Sequence, residues 1–373
     1  MSSAVYALSI HSDYKCRHSG VCCSTDWDVP VELPVYRSLV EAIEAGRLRA
    51  VPDARSLEPF IVEPGLPDEA AAIFERTDRG ACVFFDGPSR LCVVHRDLGE
   101  AALPATCRFF PRVALRDARG TSITLSHYCP TAASMLFRDD IALAVVEAPS
   151  AFPRADYEGL VVGSDDLPPL LTPTMLMDLD GYTAWEQHMV RRCAADASPE
   201  AIVATLASDA RALRRWIPGR TTLAEAVADL PEPIVERSRP ASLEHSLALR
   251  ADVIAAVPDD LKPEPDESGL AQAYRNYVEP LWEGFHAPLN RYVAAKAFAS
   301  WTAYQGRGVS TIVRGLEAAL ALVRVEAARQ CRDASRGLDA DLLLAAFRSA
   351  DFALNHLAVG EDLASAWSRA EEE

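Results

Sequence analysis

Several kinds of feature are missing from this sequence, and each absence narrows what the chain is expected to be. No stretch approaches the roughly 20 consecutive apolar residues that a membrane helix requires. The opening MSSAVYALSIHSDYK lacks a basic segment followed by an apolar run. A cytoplasmic protein with no membrane partner is therefore expected. Basic residues are in deficit, 37 against 54 acidic, for a net charge of −17. Such a chain repels phosphate backbones, so nucleic acid is not an expected partner. No G-x-S-x-G elbow, H-E-x-x-H pair or G-x-x-x-x-G-K-S/T loop occurs, which removes the easily read hydrolases, zincins and nucleotidases. Internal repeats and heptad runs are also absent.

What the chain does have is cysteine in an uneven distribution. Seven of its nine cysteines fall in the first 129 residues. An odd number of thiols without an export signal argues for reduced cysteines rather than a disulfide framework. At 373 residues the chain exceeds the usual single-domain size, so two units are expected. Each can bury a core without a metal, and any metal is then more than a folding staple. Charged residues at 24% and hydrophobic ones at 49% are ordinary globular values, which excludes disordered and fibrous classes.

The expected fold class is α+β: a small cysteine-rich mixed unit with β-hairpins, followed by a mainly α-helical bundle. GACVFF and RLCVVH flank the turn-forming DGPS and predict a hairpin from Gly80 to His95. RVALRD and TSITLS, joined by ARG, predict a second. VELPVYRSLVEAIEAG predicts a short helix stopped by Gly46. The Pro-, Gly- and Asp-rich residues 147–173 break periodicity and are the expected linker between domains 1–146 and 174–373. Beyond it, Ser198 and Pro199 read as the N-cap and first position of a helix with Ile202, Leu206, Leu213 and Trp216 on one face. Val309, Val313, Leu316, Leu320 and Val323 mark another helix. Leu343, Phe347, Leu354 and Leu357 mark a third that stops at Gly360.

The candidate ligands are Cys16, Cys22 and Cys23 in YKCRHSGVCC, Cys82 and Cys92 on the two hairpin arms, Cys107 in PATCRFFPR, and Cys129 in SHYCP. Thiolates are soft donors that suit tetrahedral zinc or an iron–sulfur cluster, each needing about four of them. Gly20 permits a tight backbone beside the adjacent pair, and Arg108 and Arg112 flank Cys107 where cations would stabilise thiolates. Buried small hydrophobes and a disulfide set are the competing readings. His18, His95 and His127 lie close enough in sequence to complete a mixed zinc site, or to act as surface or supporting histidines. The surplus of thiols and the scarcity of short C-x-x-C pairs favour [4Fe–4S] over zinc. Cys193 and Cys331 lie on apparent helices and are expected in the core.

The order CRHSGVCC, CVFF, LCVVH, LPATCRFFPR, LSHYCPTAA resembles the YkgJ-type zinc/iron-chelating cysteine-cluster family. It is more particularly similar to the flagellin lysine-N-methylase branch, in which a CC pair precedes a segment like WDVPVE and a C-R-x-x-P-R motif precedes a cysteine-proline. VEPLWEGFHAPLNRYVAAKAFASW and FRSADFALNHL resemble the helical tail of those methylases. Ser19 stands where the wider family often has a further cysteine, so the resemblance implies one centre, drawn from the seven cysteines, rather than two. It also implies S-adenosylmethionine as methyl donor and a Lys-bearing protein substrate. Metal storage or delivery is the remaining functional reading.

For the donor, GLVVGSDD at residues 159–166 is the sole glycine-rich candidate, and it reads more simply as a turn. The C-x-x-x-C-x-x-C spacing of radical enzymes is absent around Cys16. Tyr274, Tyr277, Trp282, Phe285, Tyr292 and Phe298 form an aromatic-rich stretch that would either cage a lysine by cation–π contact or pack the core. Arg348 and His356 are polar positions on a mostly apolar helix, which would either face a pocket or serve in capping, surface pairing or as a satisfied core histidine.

Overall fold

The computed structural model describes residues 4–25, 27–51, 58–62, 65–66, 70–152, 157, 159–163, 168–232, 241–263, 266–305 and 308–369. It has the expected mixed α+β architecture, with several small sheets and a helical C-terminal region.

Residues Arg112–Asp117 and Gly120–Leu125 form the second hairpin as expected, in register from Arg112↔Leu125 to Asp117↔Gly120. The hairpin is the centre of a five-stranded sheet in the order Gly159–Val161, Arg112–Asp117, Gly120–Leu125, Val5–Leu8, Val145–Glu147. Val5–Leu8 runs parallel to Gly120–Leu125. Gly120 makes that approach feasible, because a Cβ there would sit 2.4 Å from the Ala4 carbonyl oxygen.

A second sheet, ordered Pro30–Glu32, Ala70–Phe74, Phe60–Ile61, packs with the Leu33–Glu44 helix. That helix carries a proline in its first turn and gives way at Gly46, whose φ of 69° suits glycine. Val31, Leu39, Phe74, Val83, Phe84 and Val94 make a separate core for this unit, and Cys82 is buried within it.

The first hairpin is shorter than expected. Its ladder is Phe85–Asp86 with Leu91–Cys92, and Cys92 faces Phe85 rather than Cys82. Val93–Leu98 is helical, not strand, while Cys82 bridges to Arg76 outside the hairpin. Alternating apolar residues alone did not distinguish these cases, because VVHRDL fits either period.

The helical region surrounds Val309–Ala334, a 26-residue helix buried on most of its circumference. Around it lie Pro199–Leu213, Leu243–Ala255, His286–Ala297 and Ala340–Phe352. The Ser198 hydroxyl accepts from the Ala201 N–H at 3.2 Å, with Pro199 in the first turn, as the sequence implied. Leu213 ends that helix, so Trp216 packs from beyond it, partly buried. Gly360 does not stop the last helix. A π-turn, Ala353–Leu357, ends the Ala340–Phe352 segment, and Gly360–Arg369 is a new helix.

Leu8, Ile10, Leu115, Leu136, Val162 and Leu171 share one buried cluster with the helical residues. The five-stranded sheet is therefore packed on the bundle. The stretch 147–173, expected as a linker, contributes the strands Gly159–Val161 and Leu170–Thr172. Among the described residues no single helix is long and apolar enough to cross a membrane.

Candidate metal centre

Five of the seven candidate cysteines come together from three chain segments. Cys22 and Cys23 lie on a single helical turn, Val21–Ser24, which begins at Gly20 with φ of 75°. A Cβ at Gly20 would lie 2.6 Å from the Phe85 ring, so glycine is what lets this turn press against the hairpin. The Cys82 N–H donates to the Cys23 carbonyl at 2.8 Å, which fixes the hairpin approach to the same turn. Cys92 occupies the N-cap position of the Val93–Leu98 helix. Cys107, on Ala105–Phe109, is close enough to feel the charges of Cys82, Cys92 and Cys22.

The Cys22 and Cys23 sulfurs are 3.8 Å apart. That spacing suits an S–H···S contact, and it also matches the edge of a tetrahedron with zinc–sulfur bonds of about 2.3 Å. Contacts with Cys22 and Cys92 raise the Cys23 thiol, and burial pushes it up further. The Cys23 contact lowers Cys22 against the opposing effect of burial. Cys92 is lowered to about 7 by the Cys23 contact, against burial, with help from the His95 and Val94 N–H groups. Burial pushes Cys82 up to about 12 and raises Cys107 well above the ordinary thiol range. A set of thiols this crowded and this buried cannot all ionise without positive charge to balance them.

Two arginines, Arg76 and Arg112, bring positive charge to the cysteines. Arg76, which the sequence reading did not single out, faces both Cys82 and Cys107 and donates to the Gly80 carbonyl at 3.0 Å. Arg112 faces Cys16 and lies 5.5 Å above the Tyr14 ring. Arg108, expected to stabilise Cys107, instead lies over the Phe109 ring at 4.8 Å. The Nε atoms of Arg76, Arg108 and Arg112 are buried without a hydrogen-bond partner among the described residues. An unsatisfied Arg76 nitrogen beside the thiols fits an anionic group, as does the soft donor set. Among the described residues, though, no group of three or more His, Cys, Asp or Glu stands preassembled in metal-ligating geometry.

Cys16 and Cys129 form the flank. Cys16 feels the charges of both Cys22 and Cys129, and burial raises its thiol. Cys129 is buried, caps Pro130–Met135 and lies 3.7 Å from the Tyr14 hydroxyl. Cys193 and Cys331 are buried on helices of the bundle, as core residues should be.

The three histidines divide. His18 and His95 have ring centroids 5.7 Å apart. His127 turns away into a buried network, where its N–H donates to Asp351 Oδ2 at 2.5 Å and its Nε2 lies 3.3 Å from His11 Nε2. Tyr292 donates to Asp351 Oδ1 at 2.7 Å, and Lys296 pairs with the same oxygen at 2.5 Å. Burial opposes ionisation of Asp351, yet Lys296 and His127 outweigh it and hold the carboxyl below the usual range. His11, Lys296 and Asp351 carried no sequence signal, since they lie far apart in the chain and meet only on folding.

The helical tail grips the segment that carries Cys129. Arg348 Nε donates to the Tyr128 carbonyl at 3.1 Å, and His356 Nε2 pairs with Ser126 Oγ at 2.9 Å. The His356 ring lies 5.0 Å from Trp27, whose Nε1 donates to the Cys22 carbonyl at 3.1 Å. Both polar positions thus serve the cysteine region. The aromatic stretch does not form a cage: Tyr274, Trp282, Tyr292 and Phe298 are buried in the core, with Tyr277 and Phe285 packed against it. Gly159–Val161, from the one glycine-rich donor candidate, is an edge strand paired to Ala114–Arg116. Residues 164–167 of that motif lie outside the described residues.

No family model, no curated protein and no solved structure matches this chain.

Proposed function

We propose that this chain is a cysteine-cluster metalloprotein whose Cys22, Cys23, Cys82, Cys92 and Cys107 supply the ligands of one iron–sulfur or zinc centre. Cys16 and Cys129 lie at its border. The observation that carries the reading is the convergence of these five thiols from three chain segments, with the Arg76 guanidinium facing Cys82 and Cys107. Unrelated core cysteines have no reason to converge beside a buried guanidinium group. The resemblance to metal-chelating cysteine-cluster proteins points the same way. When bound, zinc would brace the three segments, and an iron–sulfur cluster would add electron transfer or a Lewis-acidic iron.

Anaerobic purification of the full chain followed by metal and acid-labile sulfide analysis tests this. The expected preparation is brown with iron and sulfide, or colourless with stoichiometric zinc. A chain that retains neither metal after reconstitution would overturn the proposal.

A further inference from the structure

A second place in the molecule has the form of a binding site and shares no residue with the thiols. A cavity of about 480 Å³ opens among the helices Leu179–Cys193, Pro199–Leu213 and Leu223–Ala228. Small-molecule sites span roughly 300–1,000 Å³ and combine apolar walls with a few fixed polar groups. Here Ala201, Ile202, Val227 and Leu230 are among the walls, and His188, Arg191 and Arg192 supply the polar end.

That polar end is braced from behind. Asp209, buried, accepts from Arg192 Nε at 3.1 Å and pairs with His188 Nε2 at 2.8 Å. The Pro231 carbonyl accepts from the Arg192 NH2 group at 2.6 Å. His188 is held flat against Trp185, with ring centroids 5.6 Å apart and planes 18° from parallel. The guanidinium is thus oriented by interactions that need no ligand. Among the described residues its remaining NH1 group meets only Glu232, at 3.5 Å, and that side chain is 97% exposed. An ion pair so long and so exposed is weak. Glu232 nonetheless shows that a carboxylate can approach Arg192 at the cavity. Arg191, one position earlier, makes no ion pair among the described residues and adds a second positive charge to the rim.

We propose that this cavity binds a small molecule with an apolar body and one carboxylate group. The carboxylate displaces Glu232 from Arg192, and the body lies along Ala201, Ile202 and Val227. Arg192 is oriented in advance, so the ligand need not bear the cost of ordering it.

Calorimetric titration of the full chain with 4-phenylbutanoate, and with its neutral analogue 4-phenylbutanamide, tests the proposal. The acid is expected to bind once per chain. The amide is expected to bind about tenfold or more weakly, the loss that follows when a charge-assisted hydrogen bond is made neutral. Glu232→Gln, at an exposed position, removes the internal competitor and should tighten acid binding. Ala201→Trp fills the cavity and should abolish binding while the circular dichroism spectrum stays unchanged. Absence of acid binding at millimolar concentration, equal binding of acid and amide, or binding that survives Ala201→Trp would each overturn it.

Discussion

The backbone N–H of Cys82 donates to the carbonyl of Cys23 at 2.8 Å, so two candidate ligands are tied together through their main chains before any metal is considered. The tie means that folding alone brings these two cysteine-bearing segments together. Replacing a thiol should therefore remove metal without unfolding the chain. Cys82→Ser and Cys107→Ser are expected to lose bound metal while keeping the helical circular dichroism signal. Cys193→Ser, in the bundle core, is expected to keep its metal. Metal content per chain is the readout, and full loading of both Cys82→Ser and Cys107→Ser would remove them from the ligand set.

Gly20 controls the same region through its backbone. Its φ of 75° and the Phe85 ring 2.6 Å from where a Cβ would stand both penalise any side chain. Gly20→Ala is expected to destabilise the chain by about 1–2 kcal/mol, from left-handed strain plus displacement of the ring. Denaturant unfolding measures the loss. Gly219→Ala is the control, because its Cβ would meet nothing within 4 Å while its φ of 86° carries the same strain. The difference between the two variants isolates the Phe85 contact.

His356 gives the fold a signature in acid. Burial lowers its pKa from 6.5 to about 4, so the unfolded chain takes up a proton that the folded chain resists. A depressed histidine contributes stability that is present above pH 6.5 and is lost as pH falls through about 4. The unfolding midpoint of the wild type is expected to fall across that window. His356→Leu should flatten the slope there, and an unchanged slope would show that His356 is not buried neutral.

Arg324 and Glu200 form an ion pair in the bundle, and Arg324 also donates to Ser246 Oγ at 2.8 Å and lies 5.1 Å above the Trp282 ring. Glu200→Leu leaves the guanidinium buried without its counter-charge. It should cost about 3–5 kcal/mol, whereas Glu200→Leu combined with Arg324→Met should recover much of the loss. Thermal unfolding of the three variants completes the cycle. Additive effects would mean that the pair is not coupled.

Features set by neighbouring residues were the ones legible in the sequence. The Arg112–Leu125 hairpin, the Ser198 cap and the Gly46 stop each depend on a few contiguous side chains, and each stands as read. The cysteines were legible as a group because of their number. Their mutual arrangement was not, because Cys23, Cys92 and Cys107 meet only after the hairpin and two short helices have turned. Three further features were set by contacts across most of the chain: the parallel addition of Val5–Leu8, the burial of Asp351 beside His127, and the grip of Arg348 on Tyr128. Local periodicity has no access to partners more than a hundred residues away. Gly360 misled for the opposite reason, since a glycine that ends one helix and one that opens the next look identical from either side.

The position of Val5–Leu8 has a consequence for the order in which the molecule is made. This strand lies between Gly120–Leu125 and Val145–Glu147, yet it leaves the ribosome long before either neighbour exists. Its two edges stay unpaired while the whole cysteine region is being synthesised, and an unpaired apolar strand is a template for the wrong partner. The strand can complete its pairing only once the chain has been made through residue 147.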